Sequence, residues 1–430
     1  MKKLILTFAL FASLFTTAFA ENMFSHRFFE VKLDVPVNLS NNLIALTDIF
    51  TEKVVIDLPK IADDMGKDGA SFNMDVAPSL NIGIDIPRGL IFGVGIGAEA
   101  SAGIGLSKDI FEFIGKGNVG KDSVTAKMNN TFADLFAYAT VNGGWNGKKL
   151  RVNANASAFW ALAHVEASDT YVMVYQNEEN ESLGVKAQLD GKFYSTVDAR
   201  NDLTNFQALF NETKANLGFD VGADVSYKLF RYLDVGGSAR IPIVPSHLTK
   251  LSAVNYKYEQ EINIMEMMGS KQEGEGSGSG SGEGSSEATE EEEKLEGLTD
   301  LLSEPVTLDK AYAIHRPMKL GVSANFHPFG TLLTTNGYIG LGIRHPFATD
   351  KAETDTYVEY EIGGRLSLWN ILSFEASHSY YDEIFKNELK VALNIRLVEV
   401  DAGVSLQSAN FAKSFQGAGV GAFVTVCIGF

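Results

Sequence analysis

The chain has 430 residues, 45% of them hydrophobic, with a formal net charge of −18 and a single cysteine. Such an acidic chain excludes nucleic acid as a partner, because neutralising phosphates requires clustered Lys and Arg. One Cys rules out an intramolecular disulfide, and beyond the N-terminus no stretch approaches the roughly eighteen uninterrupted apolar residues of a spanning helix. The mean hydropathy of zero hides a pattern, because alternating apolar and polar residues cancel in the mean.

In chain order, Lys2 and Lys3, the apolar run Leu4 to Phe15 and the small residues of Ala18-Phe19-Ala20 predict a secretory signal over 1–20, cut after Ala20. The mature protein is then 21–430. No Cys follows the cut, which argues against a lipid anchor, and an exported chain of this kind fits the periplasm or the outer membrane. Phe29 to Leu39 alternates Phe29, Val31, Leu33, Val35, Val37 and Leu39 against Glu30, Lys32 and Asp34, the period of a strand. Over 41–67 the period changes: Leu43, Leu46, Ile49 and Phe50 fall at helical spacing, and Pro59, Ile61 and Met65 suggest a second short helix. That much apolar surface predicts a plug-like segment folded into or across a barrel mouth.

Ala70 to Ile86 is a long strand, with Phe72, Met74, Val76, Pro78, Leu80, Ile82, Ile84 and Ile86 on one face and mostly Asn, Asp, Ser and Gly on the other. After Pro87-Arg88-Gly89, Leu90 to Leu106 returns with Glu99 and Ser101 on its polar side. Asn146-Gly147-Lys148 joins 132–145 to 150–165 as a hairpin. Further pairs follow at 215–229 and 232–241, 318–326 and 333–343, 357–368 and 372–380, and 385–397 and 400–406, the last turning at Val398-Glu399. The closing row Ala422, Val424, Val426, Ile428 and Phe430 resembles the final strand of an outer-membrane barrel, with Phe430 as the barrel-assembly signal that this resemblance implies. Six hairpins, the first strand and the last make about fourteen strands, with tight turns alternating with longer loops.

The apolar rows carry His378 as their sole ionisable residue. The opposite rows hold Glu99, Arg151, Asp220, Asp224, Arg240, Arg344, Glu359, Glu361, Arg365, Glu375, Glu388, Lys390 and Arg396. Trp145, Phe230, Tyr232, Phe326, Phe329, Trp369 and Phe430 gather beside the tight turns, as an interfacial girdle would. The predicted fold is therefore an all-β membrane protein: a closed antiparallel transmembrane β-barrel of about fourteen strands. A short helical plug-like segment and helical elements in long outer loops complete it, and both termini face the periplasm. The long extracellular loops are 166–213 and 242–315. Asn201 to Phe210 reads as a helix, and the acidic Gly/Ser-rich stretch 269–293 as a disordered tether closed by an amphipathic helix over 287–304. Glu259 to Glu304 holds fourteen acidic residues and two Lys, two-thirds of the net charge.

No enzyme, cofactor or metal is expected: the seven His show no H-E-x-x-H spacing, and no G-x-S-x-G or Walker pattern occurs. Outer-membrane phospholipases place His and Ser two apart on a strand's lipid face; here Tyr380 stands in that place after His378. The strand count, the plug-like segment and the helical loops resemble the FadL-type transporters. Arg316-Pro317-Met318-Lys319-Leu320-Gly321 and His327-Pro328-Phe329-Gly330 resemble segments of FadL-like barrels of spirochaete type, although 41–67 follows the first strand instead of preceding it. The resemblance implies passive uptake of long-chain fatty acids or other hydrophobic molecules, with outer-membrane lipid and the barrel-assembly machinery as partners. Leu43, Leu46, Phe50, Ile61 and Phe206 are the candidate ligand-lining residues. A general diffusion porin and a surface-exposed adhesin or structural barrel are the alternative readings.

Overall fold

The computed structural model describes residues 28–42, 69–86, 89–109, 111–112, 123–167, 170–177, 182–198, 216–263, 303–347, 354–369, 371–381, 384–395 and 397–430. The first half of the chain supplies β1 (Phe29–Asn41), β2 (Ala70–Val76), β3 (Ser79–Ile86), β4 (Leu90–Leu106), β5 (Ser123–Asn146) and β6 (Leu150–Ala167). These are followed by β7 (Tyr171–Asn177), β8 (Ser182–Ser195), β9 (Gly218–Phe230), β10 (Leu233–Val244) and β11 (Ser246–Asn263). The second half supplies β12 (Val306–Ile314), β13 (Met318–Phe326), β14 (Leu333–Arg344), β15 (Asp355–Leu368), β16 (Leu372–Tyr381), β17 (Ile384–Ile395) and β18 (Val398–Ser408). A four-residue helix α1 (Phe411–Ser414), capped by the Asn410 side chain, precedes β19 (Gly419–Gly429).

All pairings are antiparallel, and they close into a barrel of 14 strands. Here β2 and β3 count as one interrupted strand: both keep one register against β1 and one against β4. The interruption lies at Ala77-Pro78, opposite Val35-Pro36. Neither proline has an N–H to give, so the ladder lapses there. The ring is sealed where β1 meets β19: Phe29 N–H donates to Phe430 O at 3.1 Å and Phe430 N–H to Phe29 O at 3.0 Å. The tight turns lie at this same end of the barrel. The last of them falls at 396–397, two residues before the predicted Val398-Glu399, because Val398 already pairs with Ile395.

The outer wall is apolar. Ile362, Leu389 and Val404, more than 60% exposed, lie in the middle of their strands, and Leu389 and Val404 are directly paired. Aliphatic surface of this kind is untenable in water and matched to hydrocarbon. Trp145, Phe230, Tyr232, Phe326, Phe329, Trp369 and Phe430 are exposed around the turn end. Phe230 stacks on Tyr232, with ring centres 5.6 Å apart, and Tyr232 meets Phe326 edge-on. His378 is on the outer wall, as predicted, near the loop end.

At the loop end the wall continues past the ring. β7 and β8, within 166–213, pair with the ends of β5 and β6. β11 adds to β8 and β12 to β11, within 242–315. The two long loops are thus partly sheet, where only helices and a tether are predicted. Of the helical expectation at 41–67, Asn41 is instead the last residue of β1 and Asn42 follows it, while 43–67, 201–210, nearly all of 287–304 and the stretch 269–293 fall outside the described residues.

Val404→Arg should destabilise the folded barrel by about 2–4 kcal/mol, the cost of a cation facing mid-membrane hydrocarbon. Equilibrium unfolding in lipid vesicles would measure it; an unchanged midpoint would mean that this wall does not face lipid.

Candidate functional site

Strand alternation sends charged side chains inward, and there they pair with one another. At mid-lumen Arg316, in the connection between β12 and β13, donates through Nη2 and Nε to the two oxygens of Glu99 on β4, at 2.6 and 3.1 Å. Its Nη1 reaches Asp220 on β9 at 2.7 Å. Arg240 on β10 donates to the same Glu99 at 3.0 Å and to the Pro317 carbonyl at 3.0 Å. Arg316 and Asp220 are fully buried. A forked guanidinium engages both carboxylates at once where a flexible ammonium could not, although Asp220 Oδ1 is left without a hydrogen-bond partner. Beside this knot, Lys319 on β13 holds Glu359 on β15 at 2.5 Å. Lys390 lies between Glu375 and Asp401 at 3.8 and 3.6 Å.

The Arg316 guanidinium also lies 4.3 Å from the centre of the Tyr138 ring and 5.9 Å from that of Phe159. Tyr138 can lie flat on the wall because its neighbour across the pair is Gly97, where a Cβ would sit 2.0 Å from the ring. Gly218 makes the same room for Phe159. Glycine on the inner rows therefore marks seats for aromatic rings.

Towards the loop end the lining turns apolar. Phe136, Tyr138, Phe159 and Ala161 of the wall pack against Tyr194 of β8, Leu248 of β11 and Ile314 of β12, with Leu251, Leu308 and Tyr312 around them. Next to this block His164 stacks on Tyr312, with ring centres 5.2 Å apart, and bonds Asp134. His345 comes edge-on to His164. His315 lies nearby on the loop side of β13; burial, then the neighbouring His345 and His247, hold its imidazole below the usual value.

Of the residues named from sequence, Glu99, Asp220, Arg240, Glu359, Glu375 and Lys390 meet in the lumen. The candidates Leu43, Leu46, Phe50, Ile61 and Phe206 lie outside the described residues. The backbone that brackets 43–68 is nevertheless fixed: Asn42 N–H donates to Ser71 O at 3.2 Å, and its side chain bonds both Gly69 O and Ser71 N–H. That segment leaves and rejoins the wall at one point of the loop-end rim. Arg316 was visible as part of a motif, but no alternation marked it as the centre of the knot, because it precedes its strand. The histidine group was hidden by distance along the chain.

On the outer wall His378 donates through Nδ1–H to Asn387 Oδ1 at 2.7 Å, and its Nε2 pairs with the Tyr360 hydroxyl at 3.0 Å. Phe411 and Phe415 of the α1 segment and Phe385 of β17 enclose it. The hydroxyl facing the imidazole is that of Tyr360, not of Tyr380, and the arrangement satisfies a polar ring at the membrane boundary.

Arg316→Ala should cost about 3–5 kcal/mol, since it strands Asp220 without its guanidinium and leaves Glu99 with Arg240 alone. Chemical unfolding of the detergent-folded barrel would measure it, and the loss should shrink when Asp220 is also replaced by Ala, which leaves the Arg240–Glu99 pair matched. An Arg316→Ala barrel as stable as the parent would mean that the knot is not buried.

No curated protein matches the chain. Among solved structures it is similar to the toluene transporter TodX of Pseudomonas putida, with 10% identity, 94% of this chain and 89% of that one covered, and a TM-score of 0.42. A Pseudomonas aeruginosa FadL homologue is similar at 9% identity, 94% and 90% coverage and a TM-score of 0.43. The monoaromatic hydrocarbon channel CymD gives 10%, 94% and 89%, and 0.41. Residues 28–425 match the family described as "Family of unknown function (DUF5723)". With nearly the whole barrel inside that match, the chain belongs to the DUF5723 family.

Proposed function

We propose that this protein is an outer-membrane channel for passive uptake of hydrophobic small molecules, with long-chain fatty acids as one candidate class. The observation that carries the reading is the apolar block within the loop-end half of the lumen, built from Phe136, Phe159, Leu248 and Ile314 with Tyr194 and Tyr312. These side chains cover one another, with Phe159 and Leu248 0% exposed, so an apolar solute would part them to gain roughly 25 cal/mol for each Å² it buries there. A diffusion porin has no use for such a block. The lumen charges also argue against a porin, since Arg316, Arg240, Lys319 and Lys390 are engaged by carboxylates and do not line a hydrated bore.

The route out is the wall between β1 and the β2–β3 break. Opening a seam in hydrocarbon exposes unpaired backbone groups at several kcal/mol each. Pro36, opposite Ala77, lacks the one N–H that would help resist it, whereas the N–H missing at Pro78 would point to β4, where Ala98 N–H donates to Pro78 O at 3.1 Å. The break lies next to Glu99, so it adjoins the ion-pair knot on the lumen side. In this reading 41–67 occupies the mouth and contributes Leu43, Leu46, Phe50 and Ile61, with Phe206 from the neighbouring loop. The tight turns and both termini face the periplasm, and the Phe430 end directs assembly.

Uptake of an apolar fluorescent probe into vesicles carrying the purified barrel tests this. The variant P36V, which restores the donor across that seam, should lower uptake several-fold while raising resistance to unfolding. Rapid vesicle swelling with small sugars, together with unchanged probe uptake in the variant, would instead indicate a porin. Deleting 269–293 should leave probe uptake unaltered.

A further inference from the structure

We propose that Asp134, His164 and His345 form a binding site for a divalent transition-metal ion of the zinc type, inside the loop-end half of the barrel. Nδ1 of His164 lies 2.7 Å from Oδ1 of Asp134, and Nε2 of His345 lies 3.7 Å from Oδ2. One donor atom from each of the three residues falls within 4.8 Å of the other two. Metal–nitrogen and metal–oxygen bonds of about 2.0–2.2 Å place tetrahedral ligand atoms about 3.4 Å apart, so side-chain shifts of up to about an ångström bring this triangle onto one ion. Two imidazoles and one carboxylate suit zinc and its neighbours, not the hard cations magnesium and calcium.

Three features go beyond proximity. First, His164 is re-aimed. Phe159 and Ala161 pair with Tyr138 and Phe136, so in strict register Ala163 would face Asp134. An extra residue, Leu162, bulges the strand, and His164 takes that place instead. The freed Leu162 carbonyl is taken by Thr196 N–H at 3.4 Å.

Second, His345 holds a φ of +43°, in the left-handed region that a non-glycine residue rarely enters, and it does so directly before Pro346. Its carbonyl is held by the Thr354 hydroxyl at 3.1 Å. Strain of about 1–3 kcal/mol persists where surrounding structure enforces it, and it concentrates at functional sites.

Third, the outer nitrogen of His164 has a partner. Nε2 meets the Tyr312 hydroxyl at 3.4 Å, and Tyr312 is itself stacked on Tyr194 at 4.3 Å. A second partner that fixes the tautomer and ring plane is the usual companion of a ligating imidazole. Binding would displace the proton shared by His164 and Asp134 and leave positions on the ion open to the lumen. The site does not depend on the hydrophobic-channel reading, since its ligands are the same whatever crosses the barrel.

The test is titration of the detergent-folded full-length barrel, prepared without a polyhistidine tag, with Co²⁺ and Zn²⁺. Metal is supplied both during refolding and afterwards. One Co²⁺ per chain with a visible d–d absorption, displaced by Zn²⁺ and not by Mg²⁺ or Ca²⁺, is the expected result. H164Q and H345Q should abolish it, Y312F should weaken it by roughly tenfold, and H327Q, at the turn end, should leave it unchanged. Binding that survives in the H164Q/H345Q double variant overturns the assignment. So does a parent protein that gives no Co²⁺ absorption under either regime, and this second outcome holds even if the variants fail to fold.

Discussion

The constraint on which everything else rests is that backbone donors and acceptors inside hydrocarbon must find one another. Water offers no substitute there, so a sheet that crosses the membrane has to close on itself. The reciprocal pair of bonds between Phe29 and Phe430 is the local form of that closure. From it follow the even strand number, the antiparallel order and the two-sided strands. The place where the constraint is relaxed is informative for the same reason. Pro36 removes a donor from the seam between β1 and β2–β3 and Pro78 one from the seam with β4, and the residues around the second, Val76 to Ser79, are nonetheless buried. The wall there is covered by side-chain packing where the ladder lapses.

Closure also fixes what the inside must be. A ring of this size leaves little room, and half of every strand points into it. Charges that would be intolerable on the outer face are admitted, but each must be matched, because removing an ion from water costs more than a poorly placed partner returns. Arg316 meets that demand with a fork shared by Glu99 and Asp220, and Arg240 adds a second cation to Glu99. Glycines opposite Tyr138 and Phe159 then let rings fill the remaining space. The lumen thus behaves as a second core: ionic at mid-height, apolar towards the loops.

Much of the wall was legible because lipid enforces a period of two. Ala422 to Phe430, Phe72 to Ile86 and Val400 to Leu406 could be assigned face by face, and the structure keeps those faces. Chain reversals were legible where Asn-Gly or Trp-Asn-Ile marked them, and less so between Ile395 and Val398, where Arg-Leu carries no turn residue. The strands β7 and β8 were missed although Tyr171 to Tyr175 is apolar or aromatic throughout and Val185 and Ala187 alternate with polar neighbours. Outside lipid such a pattern is short and ambiguous, and the helical spacing of Leu203, Phe206, Leu209 and Phe210 in the same loop is the stronger period. The ionic knot was half legible. Glu99, Asp220 and Arg240 follow from alternation, whereas Arg316 sits in a connection that no period describes. His164 could not be placed at all, since a single inserted residue reverses the face of everything beyond it.

That insertion falls where the wall changes partners. β6 pairs with β9 as far as Phe159 and Gly218, and beyond the bulge it pairs with β8 from Ala163 and Ser195. A continuous register would have carried the apolar–polar alternation of the membrane wall straight into the loop extension, where the demands on each face differ. Shifting the phase by one residue separates the two regimes. Before it, Phe159 and Ala161 pack inward against Leu248 and Ile314; after it, His164 turns inward to Asp134. The same extension supplies Tyr194 and Tyr312, which clamp the imidazole from β8 and β12. A buried, hydrogen-bonded imidazole at a register shift requires all of these elements at once. The loop-end sheet is therefore part of the site's framework and not an appendage to the barrel.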